Sequence, residues 1–122
     1  MNESHDITYL TDVVLITCIV ALGRGDEVIR VARDLGIGGA FVYQARGTGV
    51  RERLGLLGIA VEAEKDVVSM IAAVVQRDPL MHGLYAKLGL DRPGAGVILA
   101  LPLDKIATYI PEDVSQQLQR ER

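Results

Sequence analysis

Residues 13–46 read VVLITCIVALGRGDEVIRVARDLGIGGAFVYQAR, and the fold turns on how this stretch divides. Its first ten residues are rich in β-branched side chains and apolar on both alternating faces, the pattern of a buried strand. Asp26 then offers an N-cap, and Val28, Ile29, Ala32 and Leu35 recur at helical spacing. Gly36 stands where a left-handed residue closes a helix. GAFVYQAR (39–46) follows as a second strand with Phe41 and Tyr43 on one face. The stretch is a βαβ unit.

The same unit recurs in the second half. KDVVSMIAAVV (65–75) reads as another strand apolar on both faces over most of its length. Asp78-Pro79 supplies an N-cap with proline in the first turn, and Leu80, Met81, Leu84, Tyr85 and Leu88 form a helical stripe that stops at Gly89. GAGVILALPL (94–103) is the closing strand. Leu35-Gly36 and Leu88-Gly89 end the two helices alike. Two such units predict an α+β, ferredoxin-like βαββαβ fold: a four-stranded antiparallel sheet with both helices on one face. The other face is left bare and apolar, on the order of several hundred Å², more than a soluble monomer usually exposes. A symmetric oligomer is the simplest cover.

Composition agrees with one such domain. A chain of 122 residues buries about two-thirds of its unfolded surface. With 49% apolar residues but no Trp and one Phe, its interior must be built from Val, Ile, Leu and Ala. VVLITCIVAL and VVSMIAAVV fall short of the roughly 20 apolar residues of a membrane helix, so no membrane insertion is expected. The polar, acidic start MNESHDITYLTD lacks secretory-signal character, which points to a cytoplasmic protein. A net charge of −3 argues against nucleic acid as a partner. Residues 1–12 read as a flexible leading tail and 111–122 as a polar closing tail.

No catalytic constellation is visible. Cys18, the only cysteine, lies mid-strand and reads as a small buried hydrophobe, which leaves no CxxC metal or redox site. His5 and His82 stand apart from other ligands or bases and read as solvated surface residues. Thr17 and Ser69 lie inside strands, as buried hydroxyls bonded to neighbouring backbone. RNA recognition would need more base-stacking aromatics than Phe41 and Tyr43. Neither a catalytic residue nor a metal ligand is assigned.

Two glycine clusters remain. Arg46-Gly47-Thr48-Gly49 leaves the second strand, and Arg92-Pro93-Gly94-Ala95-Gly96 enters the fourth. Glycines let backbone N–H groups converge on an anion, and an adjacent Arg adds charge; equally, each cluster can be a turn needing positive φ. In a βαββαβ sheet these strands are opposite edges, so the clusters would share one site only across a subunit boundary.

ITCIVALGRGDEVIRVARDLGIGG, then RGTG, a mid-chain loop, a strand opened by EK, and LDRPGAG before an apolar last strand resemble the P-II signal-transduction superfamily, in particular its divergent P-II-like branch. The resemblance spans about residues 13–110. It implies a homotrimer with sheets turned inward and an adenine nucleotide in each cleft between subunits. Gly47, Thr48 and Gly49 match the base of the family's T-loop, here about 47–64, and Arg46 stands beside them as the added charge. Gly94, Ala95 and Gly96 match its phosphate-binding B-loop, with Arg92 as the charge beside it. Such proteins regulate a partner, often a membrane transporter, through the T-loop.

Departures from the family pattern refine that expectation. The loop carries no tyrosine for uridylylation. Val97 stands where Lys is frequent, and Thr108 and Ile110 replace expected arginines. Fewer phosphate contacts suit AMP, ADP or cyclic AMP better than Mg-ATP. A bicarbonate or other small-anion responder and a ligand-free scaffold trimer are the alternatives. Leu54, Leu56, Leu57 and Ile59 offer an apolar strip for a partner.

Overall fold

The computed structural model describes residues 7–46 and 64–109. Its elements run β1 (Thr8–Leu10), β2 (Val13–Ala21), α1 (Gly25–Asp34), β3 (Ala40–Arg46), β4 (Glu64–Ala73), a 3-10 turn (Val74–Gln76), α2 (Arg77–Lys87), β5 (Gly96–Leu103) and β6 (Ile106–Thr108). β3, β4, β2 and β5 form, in that order, one antiparallel sheet. This is the expected ferredoxin-like arrangement. β2 and β4, apolar on both faces, take the two central places. β5 carries Pro102, which has no N–H for a second neighbour, and lies at an edge.

Strand alternation then sorts the side chains. Val14, Ile16, Cys18 and Val20 of β2 and Val68, Met70 and Ala72 of β4 join Val28 and Ala32 of α1, Leu80 and Leu84 of α2, and Leu88 at its C-cap in one buried cluster. Cys18 is a core residue, and burial pushes its thiol up to about 12. On the opposite face one row runs Phe41, Ser69, Thr17, Leu99 across the four strands. Thr17 and Ser69 do not turn to backbone as expected: their hydroxyls, 3.1 Å apart, bond to each other across the central pair. Around them Phe41 is 59% exposed, Leu101 52% and Leu99 46%, the bare apolar face that two helices on one side leave behind.

Several boundaries differ from the expectations. Thr8–Leu10, placed in the leading tail, pair with Ile106–Thr108 as a separate two-stranded ribbon, with the Lys105 ammonium 4.6 Å from the Tyr9 ring centroid. β4 stops at Ala73 because the 3-10 turn intervenes, closed by the Ala73 N–H donating to Gln76 Oε1 at 2.8 Å. Neither Asp26 nor Asp78 caps a helix: both lie in the first turn, with Arg24 and Gln76 at the cap positions. Tyr85, read as part of the helical stripe of α2, is 51% exposed.

Candidate functional site

Antiparallel order brings four chain segments to one end of the sheet. There β2 and β3 finish while β4 and β5 begin, with Arg46 opposite Glu64, Ala21 opposite Lys65 and Val20 opposite Gly96. The root of segment 47–63 and the turn before β5 therefore share one end and occupy opposite edges, three strand spacings or about 14 Å apart. Arg46 is exposed at the β3 edge. Gly47, Thr48 and Gly49 lie outside the described residues.

The second cluster combines turn chemistry with a polar rim. Gly94 has φ 77° and Gly96 φ 141°, both in the region that favours glycine. At Gly96 a Cβ would also lie 2.6 Å from the Ile19 carbonyl oxygen, so strand pairing itself requires glycine there. The Ala95 N–H donates to the Arg92 carbonyl at 3.1 Å and closes the turn. Arg92, exposed, folds back so that its Nε–H donates to the Gly89 carbonyl at 3.2 Å. Its remaining guanidinium N–H groups are the charged donors this turn can present to an anion.

Beside the turn runs an open groove of about 1010 Å³ between α2 and the edge of β5. Met81, Tyr85, Leu90, Val97 and Leu99 give it apolar walls, while His82, Asp91 and Arg92 add polar groups. Such a lining suits a ligand with an apolar body and an anionic end. Tyr85 is exposed because it faces this groove. Among the described residues no group of three His, Cys, Asp or Glu is placed to hold a metal ion.

Sequence reasoning passed over Asp66 and Arg24. Asp66 is 5% exposed, and its Oδ2 accepts the N–H groups of Gly23 at 2.9 Å and Gly25 at 2.8 Å, doing for α1 what Asp26 was expected to do. Gly25 makes this approach possible, since a Cβ there would sit 2.9 Å from Asp66 Oδ2 and from Val42 Cγ1. Asp66 Oδ1 is buried with no hydrogen-bond partner among the described residues. The signal was parity: Asp66, Val68, Met70 and Ala72 alternate onto the helix-facing side, so an acid was bound to be buried there. Arg24 donates from Nε to Glu27 at 2.9 Å and from Nη2 to the Leu88 carbonyl at 2.9 Å. The hydrogen bond from Arg24 holds the Glu27 carboxyl below its ordinary value.

No protein-family model matches the chain, and no curated protein matches it by sequence. Solved structures do. A P-II protein of Arabidopsis thaliana bound to citrate is 19% identical, with a TM-score of 0.59 over 77% of this chain and 79% of that one. A DUF3240 family protein from Shewanella baltica OS155 is 12% identical, with a TM-score of 0.61 over 83% of this chain and 100% of that one. At these identities the likeness is one of fold: the protein has a P-II-like, ferredoxin-like α+β fold, in agreement with the resemblance read from its motifs.

Proposed function

We propose that the protein is a P-II-like regulator that binds an adenine nucleotide at this end of the sheet and controls a partner through residues 47–64. One observation carries the reading: in a P-II-like fold, the root of that segment, Arg46 and the turn Arg92–Gly96 all gather at the same end. The groove between α2 and β5 supplies an apolar bed beside the charged turn. Val97 and Thr108 stand where the family resemblance expects cationic side chains, which favours AMP, ADP or cyclic AMP over Mg-ATP. The function is regulatory, with no catalytic step assigned.

The bare face supports a homotrimer. Phe41 and Tyr43 of β3, Ile71 of β4, and Leu99 and Leu101 of β5 form an exposed apolar surface from one edge of the sheet to the other, which copies with inward-turned sheets would cover. Closure would bring the β5 edge of one copy towards the β3 edge of the next and join the two glycine clusters in a cleft. No helix among the described residues is long and apolar enough to cross a membrane. A cytoplasmic regulator acting on a transporter is the cellular role that the family resemblance implies. A small-anion response is the second reading, favoured by the citrate bound to the Arabidopsis P-II protein.

Calorimetric titration of the full chain with AMP, ADP, ATP and cyclic AMP tests the nucleotide reading. Binding to at least one of the first two or the last, weakened by Gly94→Val, is expected. No heat with any of the four overturns it, and citrate or bicarbonate titration then decides the small-anion reading. Light scattering is expected to give three copies per particle; a monomer at micromolar concentration overturns the trimer.

A further inference from the structure

The loop between β2 and α1 touches both helix ends that border the candidate site. On one side its Gly23 N–H, and the Gly25 N–H that opens α1, end on Asp66 Oδ2, at the root of β4. On the other, Arg24 reaches across to the Leu88 carbonyl, at the C-cap of α2. The last carbonyls of a helix lack intrahelical donors and sit at the negative end of its dipole, so a guanidinium is the complementary group there. Beyond Leu88 the chain enters directly the segment that walls the groove: Gly89 at φ 66°, Leu90, and Arg92 bonded back to Gly89. An unbroken path thus runs from Asp66 through Gly23–Gly25 and Arg24 to Leu88 and the turn. It crosses 41 residues of sequence at its first step and 64 at its second.

Its members have little freedom to act separately. Gly25 lies against Asp66 with no room for a Cβ, so displacement of the carboxyl displaces the start of α1. Arg24 is the cap residue of that helix, and its guanidinium is held from a second side by Glu27. We propose that Asp66 and Arg24 are positioning residues that set the groove-lining turn 89–95 from the start of β4, and so couple the first residues of that strand to the turn carrying Arg92 and Gly94. The inference rests on the geometry of the free protein and holds whichever ligand the groove takes.

Amide hydrogen exchange on the full chain tests it. The reporters are the hydrogen-bonded amides of Gly89, Leu90 and Ala95, which donate to Ala86, Tyr85 and Arg92. Arg24→Gln, a change at a partly exposed side chain, is expected to raise their exchange about tenfold while the Ile16 and Cys18 amides of the central strand keep the wild-type rate. Asp66→Asn is expected to raise exchange at Gly23 and Gly25 and also at the three remote reporters. Combining the two changes should add little at the reporters beyond Arg24→Gln alone, because both break one path. The proposal is overturned if Asp66→Asn acts on Gly23 and Gly25 alone, if Arg24→Gln leaves the reporters at wild-type rate, or if the two effects at the reporters are independent. If Asp66→Asn does not fold, Arg24→Gln still decides the second link.

Discussion

The two βαβ halves end their helices alike and begin them differently. α1 leads into Gly36 at φ 101° and α2 into Gly89 at φ 66°, each after a leucine, so both exits use the residue that best tolerates the left-handed turn. At the entrances the repeat fails. α1 begins against a buried carboxyl from another strand, whereas α2 begins after a 3-10 turn closed locally by Gln76. A helix exit can be solved by backbone sterics, which a repeat copies residue by residue. A helix entrance is solved by whichever acceptor the fold brings near, and the two halves have different neighbours.

The sharpest way to break this comparison is to remove each acceptor. Asp66→Ala removes the acceptor of the buried Gly25 N–H and of the part-buried Gly23 N–H at the start of α1, and is expected to destabilise the protein by about 2 to 3 kcal/mol. Gln76→Ala, at a half-buried local turn, should lower stability by about 1 kcal/mol. Urea denaturation of both variants checks the ratio; equal losses would mean that the two entrances are energetically equivalent after all.

Gly25→Ala probes the same asymmetry from the helix side. Its Cβ meets Asp66 Oδ2 and Val42 at 2.9 Å, and the rigid strand setting leaves little room to yield, so a loss of about 2 kcal/mol is expected. In the Asp66→Ala background the same change should be much less harmful, because part of the collision is gone. An unchanged loss would place the strain elsewhere than on the carboxyl.

The smallest effect concerns the Arg–acid pairs at the two helix starts. Arg24 and Glu27 are 2.9 Å apart, and Arg77 and Asp78 are 3.0 Å apart. Both carboxyls are lowered from their ordinary values, chiefly by the hydrogen bond from the paired arginine. A lowered carboxyl contributes stability above its unfolded value and loses it as pH falls through the folded value. For Glu27 that lies below its ordinary 4.5. With its side chain 37% exposed, solvent screening keeps the contribution under about 0.5 kcal/mol. Glu27→Gln should flatten the acid limb of the stability profile slightly, while Asp78→Asn, at a more exposed pair, should leave it unchanged within error.

Much of the fold was legible because its signals are local. The both-faced apolar character of residues 13–22 marked a buried strand, and Phe41 and Tyr43 were placed together on one face, which the structure leaves uncovered by the helices. The two LG stops fixed where each helix ends. Less of the candidate site could be read. Arg92 and Gly94 were visible as an unusual cluster, but nothing in LDRPGAG says that Arg92 folds onto Gly89 or that Gly96 is held by the closeness of Ile19. Thr17 and Ser69 were rightly read as buried hydroxyls, yet each was given backbone as its partner. Their mutual bond depends on a register set 52 residues away.

Periodicity, β-branched runs and glycine stops therefore determined the order of elements, the two helix-bearing crossovers and the apolar face left open, because sterics and alternation act over a few residues. Only the tertiary structure decided which polar group meets which orphan N–H or carbonyl. Asp66 capping α1 and Arg24 capping α2 are choices made between segments far apart in the chain. A buried donor must be satisfied by whatever folding brings beside it, and that neighbour is a property of the packed sheet and not of the local sequence.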